Sequence, residues 1–468
     1  MAANLKEILD RSAPAYQPFP VSPPTARELP PEPEQQQAGP ALRVKFVVAL
    51  VCALGWTAFS LWLAREWLAD LNALIGTGLT FGLIFAVVVV PGVVNAFLVA
   101  SLAMDKRPVR KHYATLPGVT ILVAAYNEEA SILSTLSSIA EQDYPGPIDV
   151  IAINDGSKDG TIDLLQSVSY PWLRVLDLKK NGGKARALNE GLKLARHQLT
   201  ITIDADSYLY KNALRNLVSR YLGSSPETAA VAGTVLVRNT RQNLVTKVQE
   251  WDYFHGMAAV KRIQSMYMGT LVAQGAFSLY RTSVLREVGG WPESVGEDIV
   301  VTWGILERGY QVGYCEDACS FTNAPDKLGQ FIRQRQRWSR GLIEAMKSHW
   351  RLLFKKRYST FFVWYNLFMP YVDLVYTLTF VPGIILALAG YFWFAGPMTM
   401  LVLPVAMLVN YQMYAIQSAM FASQGLKVRK NLVGFLGYVL LYGAVLQPAC
   451  VVGYFKEFFK TRKTWGTK

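Results

Sequence analysis

The distribution of long apolar segments constrains this chain more than any other feature of its sequence. An uncharged apolar run of about 18 residues or more finds its stable place in a bilayer. Such runs stand near the two ends of the chain and not between. Residues 46–64 and 74–104 form one pair, and the stretch 65–73 between them is expected to be a short hairpin loop. Residues 361–394, 401–422 and 432–455 form a second group. The block between, about 105–355, has the mixed composition of a folded soluble domain. The mean hydropathy of +0.20 therefore averages two populations. A chain of 468 residues holds one large domain together with a membrane part.

The formal net charge is +13, from 47 Lys and Arg against 34 Asp and Glu. On a soluble protein such an excess points to nucleic acid. Here the basic residues gather beside apolar runs: Arg43 and Lys45 before the first pair, and Lys106, Arg107, Arg110 and Lys111 after it. Membrane lipid and the positive-inside bias account for that placement, so no nucleic-acid partner is expected. Both flanks, and the block they frame, then lie in the cytosol, which describes a multi-pass protein of a bacterial inner (plasma) membrane. Three spans after a cytosolic block leave the C-terminus outside, whereas Lys456, Lys460, Arg462, Lys463 and Lys468 argue for inside. One of those three segments is then re-entrant or interfacial, or holds more than one crossing. Asp373, flanked by Pro370 and Pro382, either faces a polar path or sits at the interface before a span starting near Leu374. Residues 1–41 are polar and proline-rich and are expected to be a disordered tail, with no cleavable signal peptide. Cys315 and Cys319 make one C-x-x-x-C without two further ligands, and read as reduced thiols rather than a zinc site.

Inside the block, short apolar runs at 119–124, 148–154, 174–178 and 199–203 alternate with helical patterns at about 129–142, 159–168 and 184–194. Such alternation predicts an α/β domain on a parallel sheet. Ligands of these sheets sit where strands end and loops begin. The polar residues fall there: Tyr126-Asn127-Glu128, Asp155-Gly156-Ser157, Asn181-Gly182-Gly183-Lys184 and Asp204-Ala205-Asp206. Neither a dinucleotide-binding G-x-G-x-x-G nor a P-loop occurs at these turns, which argues against a dehydrogenase or a P-loop ATPase.

Asp204 and Asp206 form a carboxylate pair that is costly at a strand end unless solvated or neutralised, and a divalent cation shared with a diphosphate neutralises it well. A structural cap or turn uses the same letters. Lys184 opens a helix from a glycine-rich turn, a place suited to phosphate oxygens and equally to a solvated lysine. Glu297 and Asp298 follow Gly296 at a helix start, where acids serve as caps or, in a pocket, as a general base. Gln334, Arg335, Gln336, Arg337 and Trp338 precede a segment at 339–357 that reads as an amphipathic helix on the inner membrane surface, its basic face supplied by Arg340, Lys347 and Arg351. The Trp338 indole offers either a flat surface for a sugar ring or an interfacial anchor.

The six motifs in order, A-Y-N-E-E (125–129), N-D-G-S-K-D-G-T (154–161), N-G-G-K-A-R-A-L-N (181–189), D-A-D (204–206), G-E-D (296–298) and Q-R-Q-R-W (334–338), resemble the family 2 glycosyltransferases with a GT-A fold. The likeness is strongest to the processive membrane members, the cellulose, chitin, hyaluronan and poly-N-acetylglucosamine synthases, and spans about 117–350. It implies a Rossmann-like mixed sheet in a GT-A domain inserted between transmembrane helices. Expected boundaries are a tail at 1–41, two transmembrane helices at 42–104, the GT-A domain at 105–332, the Q-x-x-R-W and interfacial helix at 333–358, about three membrane segments at 359–455 and a basic tail at 456–468. The resemblance assigns Tyr126 and Asp155, helped by Lys184, to the uracil and ribose of a UDP-sugar. Asp204, near the diphosphate, and Glu297 join the substrate-binding set, and Asp206 ligates Mg2+ or Mn2+. Asp298 is the base. Gln334, Arg337 and Trp338 bind diphosphate and acceptor end at the mouth of a channel, with Gly275-Ala276-Phe277 on the acceptor floor.

Two positions depart from the common pattern: Asn154 stands where the first Asp of D-D-G is usual, and G-E-D replaces T-E-D. No regulatory domain is expected after the spans, so any gate control comes from elsewhere; a small membrane accessory subunit or export proteins are expected partners. The implied function is processive, inverting polymerisation of a UDP-sugar, first UDP-N-acetylglucosamine, into a β-linked exopolysaccharide that crosses the membrane. A glucan synthase using UDP-glucose, a transferase adding one sugar to a lipid carrier, and an inactive scaffold are the competing readings.

Overall fold

The computed structural model of the chain describes residues 40–106, 111, 113–394 and 430–461, with scattered positions from 407 to 428. The proline-rich tail over 1–39, most of the 401–422 segment and residues 462–468 lie outside the described residues. Apolar residues at nearly every position of the first strands mark elements buried on both faces. β1 (Val119–Ala125), β2 (Ile148–Asp155), β3 (Leu173–Leu178), β4 (Leu199–Asp204), β5 (Tyr208–Leu209), β6 (Thr228–Val237), β7 (Phe277–Arg281) and β8 (Gln311–Thr322) form one sheet in the order β3-β2-β1-β4-β7-β6-β8-β5.

The first four strands are parallel, as the alternation of elements predicts. β7 then inserts antiparallel between β4 and β6, making the sheet mixed. Side chains alternate between two cores. Ile121, Val123, Val150, Ala152 and Ile201 face one side, and Leu122, Ile151 and Ile153 face the other with Trp303 and Tyr280. The second core runs on without a break into the membrane part through Tyr267, Phe97, Ala49 and Ala53. The Phe46 ring lies 5.3 Å from the rings of both Phe97 and Tyr267, and the Tyr267 hydroxyl meets Ser101 Oγ at 3.0 Å. Arg262 ties the same seam, pairing with Asp105 and, at 2.8 Å, with Glu316.

Helices Ala41–Leu63, Thr77–Ala103 and Thr360–Leu388 are long and apolar enough to cross a membrane. Leu432–Leu440 and Tyr442–Phe458 meet the same test together, bent by 52°. Large apolar side chains on these helices face outward, as with Phe81 and Leu388 at 72% and 85% exposed, a surface that suits lipid rather than water. Residues 65–73, expected as a loop, belong instead to a helix, Arg65–Ile75. Its Trp67, Leu68, Leu71 and Ile75 recur at helical spacing and pack with Leu83 and Ile84, so one face is buried where a loop would leave it exposed.

The segment at 339–357 also lies differently from the expectation. One helix runs from Leu328 to Ser348, and a 3-10 turn, Trp350–Phe354, follows. The supposed basic face does not all look outward. Arg340 is 6% exposed, with Nε 3.3 Å from Glu457 Oε2, and Lys347 Nζ is 3.5 Å from Glu457 Oε1. The acid of the facing helix, Tyr442–Phe458, turns part of a basic stripe into a packing surface.

Candidate active site

Each loop at the carboxyl end of the parallel strands is fixed to its neighbour by side chain-to-backbone bonds. After β1, Asn127 adopts φ 55, accepts from Lys158 N–H at 2.9 Å and takes the Ser157 hydroxyl oxygen on its own N–H at 3.0 Å. Tyr126, half-buried, begins that turn. Asp155, at the end of β2 and 3% exposed, accepts from the N–H groups of Gly182 and Gly183 at 2.9 and 2.7 Å. Burial raises its carboxyl above the usual range, opposed by those two bonds and by Arg186. Gly183 takes φ 87, a backbone that L side chains rarely adopt, and the next residue is Lys184, first of the helix Lys184–Lys193. Asn154 donates to Asp177 at 2.8 Å, a neutral side chain serving the structure where a second acid is usual.

Lys184 is the centre of charge. Its ammonium pairs with Asp204 and lies 3.6 Å from Glu297 Oε1. Burial would lower its pKa, but attraction to Asp204 and Glu297 outweighs this and holds it above the ordinary value. The antiparallel insertion of β7 closes the arrangement. Asp204 N–H donates to Ala276 O at 3.3 Å, and the next residue back, Gly275, donates its N–H to Asp298 Oδ2 at 3.4 Å. Two peptide units therefore connect the strand-end acids to the acid at the start of helix Glu297–Glu307. A Cβ at Gly275 would lie 2.6 Å from the Lys184 ammonium, so a side chain there would push the lysine from its place. Asp298 Oδ1 is held by the Ile299 N–H at 2.8 Å. Glu297, 7% exposed, is pushed up to about 7 by burial and by Asp298, against the pull of Lys184 and Arg337.

Asp206 lies within electrostatic reach of Asp204 and Lys184. Burial, with repulsion from Asp204 and Glu128, pushes its carboxyl up to about 6, and the Thr322 hydroxyl donates to it at 3.2 Å. Among the described residues no group of three or more His, Cys, Asp or Glu stands ready to hold a metal ion. The donor set nevertheless suits a hard cation shared with ligand oxygens: Asp204 and Asp206 repel one another at a strand end, and Lys184 pairs with Asp204.

The helix Leu328–Ser348 brings the remaining expected residues to the same place. Gln334, 9% exposed, lies within reach of Tyr253, which itself senses the charge of Asp206. Arg337 is half-buried and within electrostatic reach of Glu297. Trp338 is 38% exposed, with the Tyr253 ring 6.3 Å away. The expected residues thus gather at one edge, with Tyr126 and Asp155 on its far flank.

Glu128 belongs to a turn the sequence marks; the other residues at the edge carry little sequence signal. Glu128 and Thr322 touch the Asp206 environment. Asp252 and Tyr253 lie in a π-helical turn, Asp252–Met257, which only a carboxylate inside an aromatic W-D-Y run could have flagged. Lys261, on helix Ala258–Met266, senses Asp298, and burial pulls its ammonium down to about 7.

Comparison with known proteins adds four findings. Residues 117–341 match the family described as Glycosyltransferase like family 2. The chain is 30% identical over 261 residues to a poly-beta-1,6-N-acetyl-D-glucosamine synthase of Staphylococcus epidermidis, covering 55% of this chain and 63% of that one. It is 33% identical over 234 residues to the protein of the same name in Staphylococcus aureus (strain COL), covering 49% and 56%. The chain thus spans less than two thirds of the length of these relatives. In fold it resembles a mannosyltransferase from Pyrobaculum calidifontis, solved with GDP-Man and Mn2+, at TM-score 0.50, 16% identity, and coverage of 90% of this chain and 100% of that one. The likeness is to a GT-A fold.

Proposed function

We propose, from the glycosyltransferase family 2 domain that residues 117–341 form, that this chain is an inverting, processive transferase polymerising a UDP-sugar into a β-linked exopolysaccharide. UDP-N-acetylglucosamine is the first-choice donor, in keeping with the relatives' names. The observation that carries the reading is the short path from Asp204 through Ala276 and Gly275 to Asp298, which seats a leaving-group edge against a carboxylate.

In this reading the Asp155-braced glycine turn and Tyr126 hold the uridine, and Lys184 and Arg337 lie along the diphosphate. Asp206, with Asp204, would hold Mg2+ or Mn2+, which supplies charge neutralisation of the departing diphosphate when bound. Asp298 takes the proton of the acceptor hydroxyl as its oxygen bonds to C1. The C1–O bond to the diphosphate breaks on the opposite face and UDP leaves, inverting an α-linked sugar to a β bond. Gly275, with no side chain, leaves space beside Lys184 for the reacting centre. Trp338 offers the acceptor ring a platform next to helix Tyr442–Phe458.

The three apolar helices support a membrane protein. Placement in an inner membrane with the sheet domain in the cytosol, passage of the polymer through the helices, and recruitment of an accessory subunit or export proteins complete the proposal. The test is to incubate the full chain in lipid with labelled UDP-N-acetylglucosamine and UDP-glucose, then size the product. High-mass polymer supports the reading; only single-sugar, lipid-linked product replaces it with the lipid-carrier alternative.

A further inference from the structure

The helix that carries Gln334, Arg337 and Trp338 also carries Arg335, to which the reaction above gives no task. Arg335 is 4% exposed. Its Nη2 lies 2.8 Å from Asp252 Oδ2, and Asp252, 8% exposed, opens the π-helical turn Asp252–Met257. Its guanidinium carbon stands 4.0 Å from the centre of the Trp338 ring, 4.9 Å from that of Phe331 and 6.0 Å from that of Tyr442. Tyr442 is the first residue of the last membrane-facing helix, Tyr442–Phe458, and its ring centre lies 5.7 Å from that of Phe331. One buried cation therefore joins the Leu328–Ser348 helix, the π-turn and a membrane helix.

A buried ion pair adds little net stability, because desolvation of both charges offsets their attraction; what it fixes is geometry. π-turns are an uncommon interruption of a helix and recur at functional sites. Here the turn delivers Asp252 to Arg335 and, one residue on, Tyr253 to the Trp338 ring, 6.3 Å away. Within this cluster Trp338 keeps the largest open area, at 38% exposed. The guanidinium covers one face of its indole, so the accessible area belongs to the other face and the rim.

We propose that Asp252, Arg335 and Tyr442 form a clamp that holds the Trp338 indole as a single-faced platform, making Arg335 a positioning residue for the acceptor rather than for the donor. The clamp rests on the reading of Trp338 as the acceptor platform. It predicts that damage to the clamp is felt by the acceptor alone, while UDP-sugar binding, built on the strand ends, is untouched.

The experiment uses the full chain in lipid, with UDP-N-acetylglucosamine as donor and a short β-linked N-acetylglucosamine oligomer as acceptor. Arg335→Met is expected to raise the acceptor KM about tenfold or more and to shorten the product, with donor KM within about twofold of the parent. Asp252→Asn should give the same pattern, and the double variant should be no worse than Arg335→Met, since the two act as one unit. Arg335→Lys, which keeps a cation over the indole, should restore part of the acceptor KM. If Arg335→Met does not fold, the Lys variant decides by the same split. An equal rise in donor and acceptor KM, an unchanged acceptor KM, or additive losses in the double variant overturns the clamp. A parent chain that forms no polymer from either donor overturns the proposed function instead, whatever the variants do.

Discussion

The donor edge and the membrane junction are built by different means. At the donor edge, loops at neighbouring strand ends are stitched by side chains to backbone: Asp155 to Gly182 and Gly183, Asn127 to Lys158, Glu128 N–H to Thr161 Oγ1 at 2.9 Å. At the junction, the helix Leu328–Ser348 is held by charges reaching across to other helices: Arg335 to Asp252, Arg340 and Lys347 to Glu457, and Lys456 Nζ to Gln336 Oε1 at 2.7 Å. Backbone stitching fixes a rigid rim suited to one small, constant ligand. Side-chain ion pairs between helices set a relative placement, and suit a surface over which a growing chain passes. Donor recognition and acceptor handling should therefore be separable by mutation.

The largest effect is expected at the donor edge. Asp206→Ala should lower UDP release by about 10²–10⁴-fold, the scale of losing a metal's charge stabilisation together with its carboxylate, and added Mn2+ should not restore it. Full rescue by Mn2+ would move the cation to other ligands. Next comes the junction. Arg340→Ala takes from Glu457 the more buried of its two cationic partners, leaving Lys347, and should cost about 1.5–3 kcal/mol of folding stability, with donor KM unchanged in the folded fraction. A matching rise in donor KM would erase the contrast between the two regions. Asp155→Asn should follow, at about 1.5–3 kcal/mol for weakened charge-assisted bonds to Gly182 and Gly183, or about 10–100-fold in UDP affinity by calorimetry.

Much of the donor edge was readable in the sequence, and the junction was not. Tyr126, Asp155, Lys184 and Asp204 each sit within a few residues of the strand or helix that aims them, so local pattern locates them. Asp298 approaches Asp204 only because β7 inserts antiparallel beside β4, a pairing that no local pattern announces. The Q-x-x-R-W letters were visible, but Arg335 had no reading of its own and Arg340 read as part of a basic membrane-surface face, because their acids, Asp252 and Glu457, come from distant helices. The helix Arg65–Ile75 was misread for a similar reason: its apolar face is defined by Leu83 and Ile84 on the next helix.

The smallest effect concerns pH. Glu297 titrates at about 7 in the fold, above its ordinary 4.5, with burial the leading cause. A carboxyl raised on folding contributes stability that is present below 4.5 and lost as pH rises through 7. Glu297→Gln removes that loss, so its melting temperature relative to the parent should climb between pH 5 and pH 8. The net gain should be on the order of 1 kcal/mol, because the variant also gives up attraction to Lys184. A flat difference across that range would mean that Lys184 keeps Glu297 ionised throughout.

The central claim is that one carboxylate acts on the acceptor at a pocket whose donor side stands independently. Asp298→Asn in the full chain tests it directly, with polymer yield from UDP-N-acetylglucosamine and UDP affinity measured on the same preparation. The account predicts polymer reduced by about 10³-fold or more with UDP affinity within about twofold of the parent. Polymer yield near that of the parent, or loss of UDP binding in step with loss of polymer, would contradict it.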